Sequence, residues 1–136
     1  PSMFSETVGP LVVGIDTSGS IGQTELEQFL GELSTICEAV NPEKVHLLWW
    51  DTEVAGIDVL EPGDYSDLVN KVKPCGGGGT DVSCVFDKVE ADGIEAEACI
   101  VLTDGYTPFP SAPKYPVFWG MTTDVRAPFG TNVRIE

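Results

Sequence analysis

The sequence has little positive charge. Seven Lys and Arg residues stand against 22 Asp and Glu residues, and the formal net charge is −15 at pH 7. A surface of this sign repels phosphate backbones and anionic lipid headgroups, which argues against nucleic-acid and membrane-surface binding. It suits a cation or a basic partner patch, although acidity also serves solubility alone.

Long apolar runs are lacking too. No stretch approaches the roughly 20 apolar residues of a membrane-spanning helix, and the first residues lack the basic and apolar regions of a signal peptide. The 136 residues are the usual size of one domain. The chain opens PSMFSE with Met3 internal, so we expect residues 1–136 to be a single domain excised from a longer cytoplasmic chain.

The cysteines lack the spacing of a zinc or redox site. No Cys-x-x-Cys occurs among Cys37, Cys75, Cys84 and Cys99. Cys37 falls on the apolar face of a predicted helix and Cys99 opens an apolar strand, so reduced core thiols are favoured over disulfides. Cys75 and Cys84 bracket a glycine run and are the one pair of interest.

Histidine is scarcest, because His46 is the only one. A serine hydrolase needs a histidine base. Strand alternation places His46 beside the predicted sheet, far from the polar loops described next, and we expect it to be structural.

The stretch VVGIDTSGSIG ends an apolar strand with oxygen-bearing side chains. Asp16, Ser18 and Ser20 occupy every second position. This spacing admits a nucleophile, an aspartic-protease half-site, a phosphate cradle or a metal ligand set.

Elsewhere the sequence alternates between strand and helix patterns. Apolar strands are predicted at 11–15, 45–50, 98–103, 115–119 and 132–135, and a further strand at 53–60 returns beside the second across a tight turn at Asp51-Thr52. Helices are predicted at 65–72, 82–90 and from a Thr24-x-x-Glu27 capping box to Val40. Of the adjacent Trp49 and Trp50, one ring is expected in the core and the other partly exposed. The alternation predicts an α/β fold with a mostly parallel sheet.

Ligands of an open parallel sheet bind beyond the carboxyl ends of its strands. Asp16 and Asp104 each follow a predicted buried strand, and the loop Gly76–Asp81 can bring Thr80 to the same edge. The converging carboxylates and hydroxyls form an all-oxygen set, which suits a hard cation such as Mg²⁺.

The other interpretations fail on particular residues. An aspartic-protease half-site needs glycine after Asp-Thr, where Ser18 stands, and a phosphate loop needs lysine after its glycines, where Asp81 follows Thr80. A metal-dependent phosphotransferase would want a second aspartate in place of Ser18.

Each ligand also has a structural alternative. Asp16 and Ser20 could cap the following helix, Thr80 could be the N-cap of the helix at Val82, and Asp104-Gly105 could be an ordinary turn. We expect Asp81 to favour a helix N-terminus and Asp51 to be a turn residue.

Together, Asp16-x-Ser18-x-Ser20, Thr80 in the glycine loop and Asp104 in LTDG resemble the metal-ion-dependent adhesion site (MIDAS) of von Willebrand factor A domains. Over nearly the whole chain, the sequence resembles most closely the A-like domain that follows putative metallopeptidase domains in certain bacterial and phage proteins. The segments that carry this likeness are GGGGTD, LTDGYTPFP, PVFWG and APFGTNVRI.

The resemblance implies a three-layer, Rossmann-like fold whose mostly parallel sheet has one antiparallel edge strand. It implies that Ser18, Ser20 and Thr80 touch Mg²⁺ (or Mn²⁺ or Ca²⁺) through hydroxyls, and that Asp16 and Asp104 hold it directly or through water. A partner's carboxylate would complete the site of a non-catalytic protein-recognition module. A preceding peptidase-like domain and a chaperone-like ATPase are the partners implied.

Two alternatives remain. A Mg²⁺-dependent hydrolase of phosphate esters would need Asp81 or Asp51 as its spare acid, and a scaffold could carry a vestigial site. The chain also departs from fuller A domains, because prolines replace a helix between Asp104 and Tyr115. We therefore expect the sheet near Phe118 and Trp119 to be thinly covered and to pack against another domain or a second copy.

Overall fold

The computed structural model describes residues 8–19, 21–68 and 76–135. The strands are β1 (Leu11–Asp16), β2 (Val45–Trp50), β3 (Val54–Leu60), β4 (Ala98–Thr103), β5 (Val117–Met121) and β6 (Thr131–Arg134). The helices are α1 (Gln23–Val40) and α2 (Ser83–Ala91), with a 3-10 helix at Pro62–Asp67. None of the helices in these ranges is both long enough and apolar enough to cross a bilayer.

The strands form one six-stranded sheet in the order β3-β2-β1-β4-β5-β6. Neighbouring strands run parallel except for β2 and β3. Since β3 comes first in the strand order, it is an antiparallel edge strand. The predicted α/β class and the implied Rossmann-like architecture with one antiparallel edge are confirmed. The chain leaves β1 toward β2 on one side and later places β4 on the other, so the strand order reverses between β1 and β4.

Helices cover the centre of the sheet on both faces. Alternate side chains of β1 enter two apolar clusters: Leu11, Val13 and Ile15 lie on the α1 side, and Val12 lies on the α2 side. This double coverage explains why β1 reads as an almost continuous apolar run. It also buries both Trp49 and Trp50, one in each cluster, so the prediction that one ring would be exposed was wrong.

The N-cap of helix α1 is Gly22, two residues before the predicted cap Thr24. The N–H of Gly22 donates to Glu25 Oε1 at 2.9 Å, and the helix starts at Gln23. Glu25 satisfies the donor at the helix entrance, so Thr24 already lies within the first turn and the Thr24–Glu27 capping box does not form. The helix ends at Asn41, which is left-handed with φ 52° and donates its N–H to the Cys37 carbonyl at 2.8 Å.

The remaining predicted elements fall close to their observed places. Helix α2 and strands β5 and β6 lie within two residues of prediction. Of the helix predicted at 65–72, residues 65–67 belong to the 3-10 helix, Leu68 is α-helical, and positions 69–72 lie outside the described residues. Residues 105–116 contain no helix, as their prolines require.

The sheet near β5 is unevenly covered. Phe118 is 42% exposed, as predicted, but its neighbour Trp119 is fully buried, so the expectation of a thinly covered Trp119 was wrong. The Trp119 ring packs edge-on against Phe109 and Phe129, with centroids 5.3 and 5.6 Å away. Aromatic loop residues therefore take the place of a helix on the α2 side.

Candidate functional site

Two buried carboxylates follow neighbouring parallel strands. Strand β1 ends at Asp16, and Asp104 comes directly after β4. Ile15 pairs with Leu102 in the sheet register, which places both carboxylates at the same edge, at the reversal of strand order. Asp16 has no exposed surface, and Asp104 is only 6% exposed. The predicted convergence of these residues is observed.

The Asp16 carboxylate is held at both of its oxygens. Oδ1 accepts the N–H of Ser18 at 2.8 Å, and Oδ2 accepts the hydroxyl of Thr103 at 2.6 Å. Burial raises the pKa of Asp16, hydrogen bonds from Ser18 and Thr103 oppose that rise, and the negative charge of Asp104 adds to it. The carboxylate is thus held in one orientation, in a place where negative charge is disfavoured.

Ser18 is buried beside Asp16 in a tightly bonded loop. Its carbonyl accepts the N–H of Ile21 at 2.9 Å, and the next residue, Gly19, donates its N–H to the Gly78 carbonyl at 2.9 Å. The loop after β1 is therefore joined to the glycine loop. Ser20 lies outside the described residues.

The glycine loop is anchored on both sides of Thr80. Gly78 donates its N–H to Asp51 Oδ2 at 3.1 Å, and Asp81 donates its N–H to the Asp51 carbonyl at 2.8 Å. Thr80 lies half-buried between these anchors. Its predicted alternative role is not observed, since the N-cap of α2 is Val82.

Gly76 allows this loop to approach the strand end closely. Its φ is 122°, and a Cβ there would come within 2.2 Å of Thr17 Oγ1. The Thr17 hydroxyl in turn donates to the Trp50 carbonyl at 3.1 Å. Only glycine combines the backbone angle with the close contact.

The loop after β4 is the third loop of the candidate site. Asp104 Oδ1 accepts the N–H of Tyr106 at 3.0 Å, so part of its predicted turn role is observed. Thr123 donates its hydroxyl to the Asp104 carbonyl, and Thr107 Oγ1 accepts the N–H of Val82 at 2.9 Å. The loops that carry Asp16, Thr80 and Asp104 are thereby fixed to one another.

Asp51 and Asp81 have the roles that the sequence predicted for them, in a turn and at a helix N-terminus. Asp51 Oδ1 accepts the Glu53 N–H in its turn at 3.1 Å, and Asp81 Oδ1 accepts the Ser83 N–H at the start of α2 at 3.0 Å. Asp51 has the further role of fixing the glycine loop, which the sequence analysis missed. Hydrogen bonds from backbone N–H groups, Glu53 first, lower its pKa.

Thr103 is the other missed residue. Its hydroxyl donates to Asp16 Oδ2 across 87 positions of sequence, a role that the strand pattern of residues 98–103 does not predict. The signal was available, because a hydroxyl at the last position of an otherwise apolar strand, next to Asp104, must find a polar partner when buried.

The one histidine lies apart from this edge. His46 is the second residue of β2, at the opposite end of the sheet, as predicted. Burial, then the charge of Lys44, lowers its pKa. Cys37, Cys84 and Cys99 are free thiols, and Cys75 lies outside the described residues.

Within the described residues, no group of three or more His, Cys, Asp or Glu side chains could hold a metal ion. A metal at the β1–β4 edge would depend on the two carboxylates together with hydroxyl groups.

A family model named VWA-like domain (DUF2201) matches residues 11–136. The chain is a VWA-like domain. The matched region runs from the start of β1 beyond the end of β6, so it includes every loop of the candidate site.

An uncharacterized protein of Thermotoga maritima is similar to this VWA-like domain. The two are 33% identical over 112 residues, which are 82% of the present chain and 27% of the relative. The chain thus spans about a quarter of the length of that relative.

Proposed function

We propose that this VWA-like domain recognises another protein through one divalent cation. Asp16, Ser18, Ser20, Thr80 and Asp104 would hold the ion, and a carboxylate of the partner would complete its coordination. The observation that carries the proposal is the burial of the Asp16 carboxylate beside Asp104, at the reversal of strand order.

The residues present fit a hard cation. A buried carboxylate is costly unless a positive charge or several donors compensate it. The ion pairs of the described residues are Lys88–Asp92 and Arg134–Asp124, and neither includes Asp16. A divalent ion would supply positive charge there, and carboxylate and hydroxyl oxygens are the ligands that Mg²⁺, Mn²⁺ and Ca²⁺ prefer.

The charge of the donor set favours an anionic partner group. Two carboxylates neutralise a divalent ion and hydroxyls add no charge, so a further carboxylate oxygen is still attracted. The net charge of −15 repels a broadly acidic surface. We therefore propose a partner whose acidity near the site is confined to a single residue.

The partners that we propose by resemblance are a preceding peptidase-like domain, as in the metallopeptidase-associated A-like domains, and a chaperone-like ATPase. The free thiols Cys37, Cys84 and Cys99 support the further proposal of a cytoplasmic location.

We propose that the module is not an enzyme. The one histidine lies at the far end of the sheet, and the carboxylates of Asp51 and Asp81 already accept backbone N–H groups. Hydrolysis of a phosphate ester would need one of these groups as a base or nucleophile.

Calorimetric titration of the metal-stripped domain with Mg²⁺ and Mn²⁺ tests the proposal. We expect saturable binding near one equivalent, lost in Asp16→Ala and in Thr80→Ala but kept in the control Asp81→Asn. Circular dichroism would check that each variant is folded. Binding that survives in both ligand variants, or no binding by the wild type, would contradict the metal site.

A second measurement separates recognition from catalysis. We expect no hydrolysis of p-nitrophenyl phosphate by the Mg²⁺-loaded domain. Turnover that disappears in Asp81→Asn while metal binding persists would show that the domain is a hydrolase and not a recognition module.

A further inference from the structure

In the part of the chain that the structure describes, the α1 side of the sheet is covered over only half of its width. Helix α1 packs on β1 and β2, and no described element covers β4, β5 and β6 on that side. An open groove of about 400 Å³ lies there. Its lining is mainly apolar and comes from α1 and four strands, including Ile36, Ile100, Leu102, Phe118, Val133 and Ile135.

The groove has a firm floor and exposed apolar walls. A Cβ on Gly120 would come within 2.6 Å of Leu102 and 2.7 Å of Ile135, so these two side chains close over the glycine. Phe118 and Val133 rise beside this floor, 42% and 53% exposed. Contiguous exposed apolar surface of this kind is typical of a binding site.

The polar residues of the groove are acidic. Glu32 of α1 and Glu97 before β4 line it, and no Lys, Arg or His is among its described lining residues. The net charge of −15 extends the same sign over the molecule. An occupant must therefore combine an apolar face with positive charge.

We propose that this groove binds an amphipathic helix of another protein, with an apolar stripe facing Phe118 and Val133 and basic residues facing Glu32 and Glu97. Three adjacent strands at about 4.8 Å spacing span about 10 Å, which is the diameter of a helix. Parallel sheets normally carry helices on both faces, so the bound helix would complete the missing part of this layer.

Charge argues against a second copy of this chain as the occupant. Two copies facing each other here would bring Glu32 and Glu97 against the same residues, with −15 on each molecule. The groove is also distinct from the edge that carries Asp16, so this proposal does not depend on the metal.

Binding of designed peptides to the whole chain tests the proposal. The probe is a labelled 18-residue helix of Leu, Ala and Lys with leucines at i, i+3, i+4 and i+7 spacing. A twin carries Glu for Lys, and a scrambled peptide keeps the composition without the stripe. By fluorescence anisotropy, we expect the Lys helix to bind at least tenfold more tightly than either of the others.

Neutral substitutions locate the site. We expect Phe118→Ser and Val133→Ser each to weaken binding at least fivefold, while Val59→Ser, a valine similarly exposed at 52% on β3, leaves it unchanged. Glu32→Gln should weaken binding and raise its tolerance to salt, whereas Glu38→Gln on the same helix should not. Chemical-shift changes in the unmodified protein should centre on the groove, which gives a test independent of any variant.

Several results would overturn the proposal. These are no peptide binding up to millimolar concentration, equal binding of the Glu twin, or equal weakening by Val59→Ser. A dimer in sedimentation equilibrium that Phe118→Ser dissociates would assign the groove to a second copy. Peptide binding that appears only after deletion of residues 1–7 would assign it to the protein's own chain.

Discussion

The middle and the carboxyl end of β1 are equally buried but differ in chemistry. Val12, Val13 and Ile15 have no exposed surface, and neither has Asp16. Burial of the aliphatic side chains is favourable by about 1.5–3 kcal/mol each, whereas burial of a carboxylate opposes folding. One strand therefore contains a part whose burial stabilises the fold and a part whose burial the fold must compensate.

The buried carboxylate of Asp16, unlike the aliphatic side chains of β1, is a group that a bound cation would stabilise. The hydrogen bonds from Ser18 and Thr103 orient Asp16 but leave its pKa raised by burial. A bound cation would relieve this cost, and an aliphatic side chain at the same place could gain nothing from it.

The largest effect is expected in the middle of the strand. Ile15→Ala removes apolar contacts from the α1-side cluster and should lower the free energy of unfolding by about 2–5 kcal/mol. Urea denaturation in the presence of a chelator measures it, because the loss should not depend on metal. A loss below about 1 kcal/mol would contradict the assigned packing.

Metal should stabilise the protein only through Asp16, at the carboxyl end of β1. At a Mg²⁺ concentration 100 times the dissociation constant, the wild type should gain about 2.7 kcal/mol of unfolding free energy. Asp16→Asn should gain nothing, because a neutral amide cannot balance the ion. The same urea titrations with and without chelator decide this, and an equal gain in both proteins would place the metal elsewhere.

Substitution of two adjacent glycines in the loop that carries Thr80 distinguishes the cost of a steric clash from the cost of backbone strain. Gly76 and Gly77 both have φ near 120°, but a Cβ clashes only at Gly76, with Thr17. Either alanine variant should cost about 1–3 kcal/mol for strain, and the clash should make Gly76→Ala the less stable of the two by a further ~1 kcal/mol. Equal stabilities of the two variants would show that the loop does not approach Thr17.

The hydroxyl that orients Asp16 should contribute measurably. Thr103→Val keeps the shape of the side chain but leaves Asp16 Oδ2 without this donor, at an expected cost of about 1–3 kcal/mol without metal. Thr131→Val on the exposed edge strand β6 is a control and should be nearly neutral. An equal loss of unfolding free energy in both variants would show that Thr103 does not orient Asp16.

The smallest effect concerns His46, at the opposite end of the sheet. Its pKa in the folded state lies below the ordinary 6.5, so the unfolded chain takes up the proton first as the pH falls. Stability from this residue is fully present above pH 6.5 and declines below it, until the folded pKa is reached. Unfolding free energies at pH 7.5, 6.5 and 5.5 should fall less in His46→Gln than in the wild type.

The sequence predicted well what depends on local pattern. The apolar strands, the positions of Asp16 and Asp104, and the proline-rich stretch without a helix follow from residue types and spacing. Parallel pairing then brings strand ends together without knowledge of side-chain contacts.

What the sequence left unpredicted depends on partners far along the chain. Whether Trp49 and Trp50 are both covered is decided by α1 and α2 on opposite faces, and alternation within β2 cannot reveal that. The bond from Thr103 to Asp16 and the anchoring of the glycine loop by Asp51 likewise join distant segments. The start of α1 was misplaced because two Glu residues offered competing caps, and the local contact with Gly22 decided between them.

The pairing of β1 with β4 also sets an order in time. The bond between Asp16 and Thr103 closes 87 residues of chain, and contacts of such long range form slowly in folding. A growing polypeptide on the ribosome would present Asp16 long before Asp104 is synthesised. The edge at which we propose cation binding is therefore assembled late, and only a chain whose synthesis has passed β4 would carry both Asp16 and Asp104 there.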